Sequence, residues 1–239
     1  MDALTSFGPW VDDLLRGIET TALVTVLGAV GALVVSIVFG LLARMEGRLP
    51  RFVARVFIEF FRGTSLLVQL WWLFFALPTF GWQLAPLPCA ITAFSLNFGA
   101  YGAEIVRGAI NAVPKPQWEA TTALNMTPYQ RMRHVILPQA VVGMIPPFGN
   151  LLIQLLKSTP LVFTITIIDV TAVTQNYRAS EGHTLFIFAL SLVVYFVLAY
   201  LLTLGMNFLE GRAKAAIGQR EERRKLFGFR DEVVESELV

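Results

Sequence analysis

Two histidines and one cysteine are the only soft ligands in 239 residues. His134, His183 and Cys89 stand apart, with no second ligand at the spacing a metal or a redox pair needs, so all three are expected to be structural. Neither H-E-x-x-H nor G-x-S-x-G occurs, which argues against a membrane protease or a lipase. No G-x-x-x-x-G-K-[ST] occurs either, so the chain lacks the loop that cradles nucleotide phosphates. No catalytic residue, no metal ligand and no bound cofactor is therefore expected. A formal charge of +2 is too small for a nucleic-acid reader. What remains is a set of polar groups in apolar surroundings. Gln69, Asn97, Asn150 and Gln154 carry amides that donate and accept, and so serve a carboxylate or an ammonium. With Lys157, which faces either a cavity or an extracytoplasmic protein, they form the candidate substrate path; hydrogen bonds between helices would use the four amides equally well. Glu59 and Arg62, and again Glu104 and Arg107, lie three residues apart and can pair on a helix. Either pair could gate or simply hold structure, and for Glu104 and Arg107 pairing is the stronger expectation.

The elements that must hold these groups are membrane helices. Hydrophobic residues make up 55% of the chain against 15% charged, where a soluble domain runs at about a quarter charged. Crossing roughly 30 Å of hydrocarbon takes about 20 mostly uncharged residues in a helix. Thr20 to Ala43, Leu84 to Ala103, Val135 to Leu156 and Thr184 to Leu209 meet that length without one charged residue. Val53 to Leu77 is long enough but carries Arg55, Glu59 and Arg62. The expected fold is all-α: a polytopic bundle of five transmembrane helices, with spans at about 20–43, 53–77, 84–107, 138–157 and 184–209. Ser158 to Ile168, caught between Lys157 and Asp169, is too short to cross and reads as re-entrant or interfacial.

Basic residues set the orientation, because loops rich in Lys and Arg stay cytoplasmic. Of 19 Lys and Arg, only Arg16, Arg62, Lys157 and Arg178 lie outside three segments: the loop after the first span, the segment after the third, and the tail. The N-terminus is then outside and the tail 211–239 cytoplasmic. Asp2, Asp12 and Asp13 replace the basic start of a cleaved signal peptide. Residues 1–19 suit an interfacial helix on the outer surface, with Trp10, Val11, Leu14, Leu15 and Ile18 on one face; a frayed terminus suits them as well. Gly28, Ala32, Ser36 and Gly40 recur every fourth residue, as do Ser95, Gly99 and Ala103, and such stripes favour close helix packing. Trp71, Trp72 and Trp82 suit an aromatic belt. Pro146-Pro147 predicts a kink near the gate or substrate path.

Residues 111–137 break the apolar pattern on the inner side. Pro114 and Pro116 stop the third span, and Pro116 can open a short helix through Leu124. Asn125 tolerates the left-handed backbone that ends a helix. Thr127 and Gln130 have capping-box spacing around Pro128, which opens a second short helix. Trp118, Leu124, Met126 and Met132 are more apolar than a free loop needs.

Glu119-Ala120, Asn125 and Ile136-Leu137-Pro138 resemble the EAA loop of ATP-binding-cassette importer permeases. Trp118 to Ala140 is similar to the polar amino-acid branch of that family, as are Phe61 to Gln69, Ala103 to Gly108 and Asn150 to Thr159. Thr121 stands for the second Ala of the motif and Asn125 for its Gly, both mild changes. The resemblance reaches to about Glu210 and implies a type I importer fold. It implies that Trp118, Glu119, Ala120, Thr121, Ala123, Leu124, Asn125, Thr127, Leu137 and Pro138 couple the chain to a separate ATPase pair, which holds ATP and Mg. It also implies a second permease subunit, the same chain or a similar one, and an extracytoplasmic binding protein. The run Met144 to Lys157 is most similar to permeases for the compatible solutes ectoine and hydroxyectoine. A passive channel or a membrane scaffold would also use five spans and a basic inner face, but leaves the knob at 114–137 without a purpose.

Overall fold

The computed structural model describes residues 3–45, 47–181 and 184–216, all of it helix and turn. His183 and the tail beyond residue 216 lie outside the described residues. Helix α1 runs unbroken from Ala3–Leu42. Residues 3–19 belong to the same helix as the expected first span, and Thr20, Thr21 and Thr25 donate their hydroxyls to carbonyls four residues back. The expected second span is two helices. Arg48–Gly63 forms α2 and Leu66–Trp71 forms α3, extended by a π-helical turn over Trp72–Ala76 and a 3-10 turn over Leu77–Phe80. The two are bent by 101° across extended backbone at Thr64 and Ser65.

Helix α4 covers Pro86–Asn111, one turn beyond its expected inner end. The expected loop contains α5, Lys115–Ala123, then α6, Pro128–Arg131, which continues through a π-helical turn into α7, Leu137–Ser158. The last third of the loop is therefore the N-terminal end of the helical stretch that runs on into α7. Helix α7 contains Pro146 and Pro147 in its interior, and α2 and α3 meet at a sharp break. The segment read as re-entrant is a 3-10 turn over Thr159–Ile165 that prolongs α7. Helix α8, Val170–Glu181, and α9, Thr184–Ala216, complete the chain. Among the described residues four helices are long and apolar enough to cross a membrane, or five with the bent pair as one span.

The centre is the contact between α1 and α4, where the two small-residue stripes meet. A Cβ at Gly31 would fall 1.9 Å from Ser95 Oγ, one at Gly99 2.5 Å from Val35 Cγ1, and one at Gly40 2.7 Å from Val106 Cβ. Without a hydrophobic drive between helices in lipid, this proximity supplies dispersion contacts over the whole length. Ser36 adds polar bonds, donating to Ala32 O at 2.5 Å and lying 3.2 Å from Gly99 O across the interface. At one end, Asp169 caps α8: its Oδ1 accepts from the Ala172 amide at 2.8 Å and its Oδ2 from the Tyr195 hydroxyl at 3.1 Å. Burial holds the Asp169 carboxyl above the usual carboxylate range, against the opposing pull of the Ala172 amide. Helix α9 stays largely uncovered, with Leu185 88% and Leu192 70% exposed.

Candidate functional site

The knob is assembled from local signals. Lys115–Ala123 carries Pro at the second helical position, where a missing N–H costs nothing. Leu124 ends the helix and Asn125 turns the chain at φ 55°. The Asn125 amide donates to Thr122 O at 2.9 Å and the Met126 amide to Thr121 O at 3.1 Å, the two bonds of a Schellman ending. Two residues on, Thr127 Oγ1 accepts from the Gln130 amide at 3.3 Å while Gln130 Oε1 accepts from the Thr127 amide at 3.0 Å. The reciprocal cap, with Pro128 at the first position, fixes where α6 starts.

The knob has an inner and an outer face. Trp118 and Met132 pack on a core of Val106, Ile110, Val113, Ile136, Ala140 and Met144. Thr121 is 2% exposed and donates to Trp118 O at 2.8 Å, so its hydroxyl is satisfied within the helix where the family motif carries Ala. Gln139 at the start of α7 lies 3.4 Å from Gln117 Oε1 and donates to Val135 O at 2.9 Å, tying α5 to α7. Glu119, Ala120, Thr122, Ala123 and Leu124 remain exposed, Leu124 at 74%. Trp118, Glu119, Thr122, Ala123 and Arg131 line a shallow concavity there. Of the expected coupling residues, Leu137 and Pro138 lie apart from this face, in the first turn of α7.

The expected substrate-path residues fall into two settings. Gln69 and Asn97 sit at the break between α2 and α3, where the bend frees backbone carbonyls. Gln69 Nε2 donates to Phe61 O at 3.0 Å and Thr64 Oγ1 at 2.7 Å, and Asn97 Nδ2 donates to Phe61 O at 2.9 Å. Their donors serve the backbone, while Gln69 Oε1 is buried with no partner among the described residues. Asn150, Gln154 and Lys157 lie exposed along one side of α7. An apolar cleft of about 530 Å³ borders α7 and α9, lined by Leu33, Ile37, Met144, Phe148 and Met206 among others. It offers no polar group to hold a zwitterion.

The ion pairs divide likewise. Arg107 Nη2 is 2.5 Å from Glu104 Oε2, as expected. Glu59 and Arg62 form no ion pair among the described residues, because the Arg62 guanidinium lies over the Tyr101 ring at 5.3 Å while Tyr101 donates to Arg62 O at 3.3 Å. His134 Nδ1 lies 3.1 Å from Gln130 O, and Cys89 is buried with its thiol near Leu73 O. Trp71 donates to Thr164 Oγ1 at 3.1 Å, a tie between α3 and the turn after α7. Two contacts have no warning in the sequence: the Asp169–Tyr195 bond, and the Arg44 guanidinium on Asn111 Oδ1 and over Trp118. In the sequence Arg44 is one of the basic residues that follow the first span.

With this geometry in place, known proteins supply the context. Residues 32–215 match the family model described as binding-protein-dependent transport system inner membrane component. A probable amino-acid ABC transporter permease of Sinorhizobium fredii is 40% identical over 88% of this chain and 91% of its own. The L-cystine transport system permease of Bacillus subtilis is 36% identical over 83% of this chain and 86% of its own. A solved structure, the crystal structure of an amino acid ABC transporter with histidines, superposes with a TM-score of 0.81 at 29% identity, covering 87% of this chain and 97% of that one. The chain belongs to the family of binding-protein-dependent transport system inner membrane components and, within it, to the amino-acid ABC transporter permeases.

Proposed function

We propose that this chain is half of the membrane path of an importer for a polar amino acid or related zwitterion, driven by ATP that a separate subunit hydrolyses. The observation that carries the reading is the two-faced α5: Trp118 and Thr121 turned into the helix ends, Glu119, Ala120, Ala123 and Leu124 turned out on a rigid knob. Small residues on the outer side allow a helix to sink into a groove. The ATPase pair closes on ATP and Mg, α5 moves, and the path switches between two accessible sides, a population shift between global states. The second permease subunit is the same chain or a similar one, and an extracytoplasmic receptor delivers the substrate.

The remaining assignments rest on this reading. The bent pair α2–α3 is one span, which makes five and puts the N-terminus outside and residues 211–239 in the cytoplasm. Residues 20–210 form the permease proper, with 111–137 as its coupling loop. Gln69 through its free Oε1, with Asn97, Asn150, Gln154 and Lys157, forms the substrate path. Pro146 and Pro147 lie along the gate, and Glu59, Arg62, Glu104 and Arg107 adjust it. The substrate is ectoine, hydroxyectoine or another zwitterion that the receptor selects.

The test is reconstitution of the permease with its ATPase and receptor in liposomes. Uptake of the receptor's ligand should require ATP, and the receptor should bind ectoine in calorimetry. Equal uptake without the ATPase would favour a passive channel and sink the importer reading. A receptor that binds another amino acid and ignores ectoine would remove the ectoine assignment alone.

A further inference from the structure

Where α1 ends, one side chain joins three elements. The turn after Leu42 is closed by the Ala43 amide on Phe39 O at 2.9 Å and the Arg44 amide on Leu41 O at 3.0 Å, which fixes the Arg44 backbone to the helix end. The guanidinium donates through Nη1 to Asn111 Oδ1, in the last turn of α4, and its carbon lies 5.5 Å from the centroid of the Trp118 ring in α5. Its partners are neutral. Arg107, the charged group beside it, is held by Glu104, and burial together with Arg107 lowers the Arg44 pKa from its ordinary value.

The position matters because of what α5 otherwise touches. Helix α5 packs on the turn Met132–Ile136 that leads into α7, with Gln117 against Gln139, and through Trp118 on the core that α4 and α7 share. Helices α1 and α4 are locked to each other by glycine contacts from Gly31 to Gly40 and at Gly99 and Gly102, so they must move as one body. Arg44 adds to these a tie from α5 to the end of α1, and a polar and stacking hold between α4 and α5 beside the apolar packing of Trp118.

We infer that Arg44 is a positioning residue that clasps the docking helix α5 to the joined inner ends of α1 and α4, so that one displacement of α5 reaches both the α1–α4 pair and α7. The inference rests on the proposed role of α5 as the ATPase contact. The chemistry calls for arginine: its planar fork donates to an amide oxygen while its face stacks on an indole, and lysine cannot do both.

The experiment uses the whole transporter in liposomes, with permeases, ATPase and receptor, and reads substrate molecules imported per ATP hydrolysed for wild type, Arg44→Lys, Arg44→Ala, Asn111→Ala and the Arg44→Ala/Asn111→Ala pair. The ratio is expected to fall about tenfold in Arg44→Ala, the order of a lost charged hydrogen bond and cation–π contact together, and less in Arg44→Lys. The double variant should be no worse than Arg44→Ala alone, since both remove one contact. ATPase should still copurify with every variant. Asn111→Ala keeps the arginine and the turn, so it repeats the test where Arg44→Ala assembles poorly. A wild-type ratio in both Arg44→Ala and Asn111→Ala, or a loss that tracks release of the ATPase, overturns the inference. ATP-independent import by the wild type overturns the docking reading and this inference with it; ATP-driven wild-type import beside unchanged variants overturns the inference alone.

Discussion

At Gln69 a single amide does the work of a missing turn of helix. The bend between α2 and α3 leaves the Phe61 carbonyl and the Thr64 hydroxyl in part-buried surroundings, and Gln69 Nε2 reaches both, with Asn97 beside it. A buried carbonyl left without a donor costs about 1–3 kcal/mol. Gln69→Leu should therefore lower the melting temperature in detergent, and more than Asn150→Leu, whose amide is exposed; an equal effect would mean the break is held by something else. Asp169 gives a pH signature. Its folded pKa is raised by burial, so between the ordinary carboxylate value and the raised one the folded protein keeps a proton that the unfolded chain has released. Stability contributed by this group is then full below the ordinary value and falls as pH rises through that window. Asp169→Asn keeps an acceptor for Ala172 and removes the ionisation, so melting temperature against pH should lose this downward slope on the acid side. An unchanged slope would assign it to another group.

At the scale of elements, helix pairs here are held by what is absent from their side chains. A methyl at Gly99 would lie 2.5 Å from Val35 Cγ1, with nothing flexible to yield, whereas Gly108 and Gly143 have nothing within 4 Å. Gly99→Leu should abolish monodisperse protein in size-exclusion chromatography, and Gly108→Ala should behave as wild type or better, since Ala favours helix by up to about 1 kcal/mol. The knob offers a parallel case. Asn125 holds φ 55°, a backbone that a β-branched residue occupies at a cost of about 1–2 kcal/mol, so Asn125→Val should loosen the α5–α6 turn and weaken ATPase retention in pull-downs. These two elements also separate what the sequence can disclose from what it cannot. The knob was legible because Asn125, Thr127, Pro128 and Gln130 act on neighbours within a few residues. The α2–α3 break was not: its donor Asn97 lies 36 positions from Phe61, and an apolar run from Val53 to Leu77 reads the same whether straight or bent.

For the molecule as a whole, the inventory is one-sided. It has a close-packed pair, α1 and α4, a knob attached to their inner ends, and a long helix α9 whose most apolar window is only 6% buried. Neither a nucleotide loop nor a metal cluster is found, the latter among the described residues. On the proposed reading, an assembly built from such a part draws its energy and much of its wall from other chains, and the exposed side of α5 is the surface through which the energy enters. Cross-linking tests that claim most directly. Cys89 is the one cysteine and it is buried, so single cysteines placed at Ala120 and Leu124, and at Ser180 on α8 as a control, report on separate surfaces of the assembled transporter. The account predicts that Ala120→Cys and Leu124→Cys form disulfides with cysteines in the groove of the ATPase and that Ser180→Cys forms none. ATPase cross-links from Ser180→Cys with none from the α5 positions would contradict it.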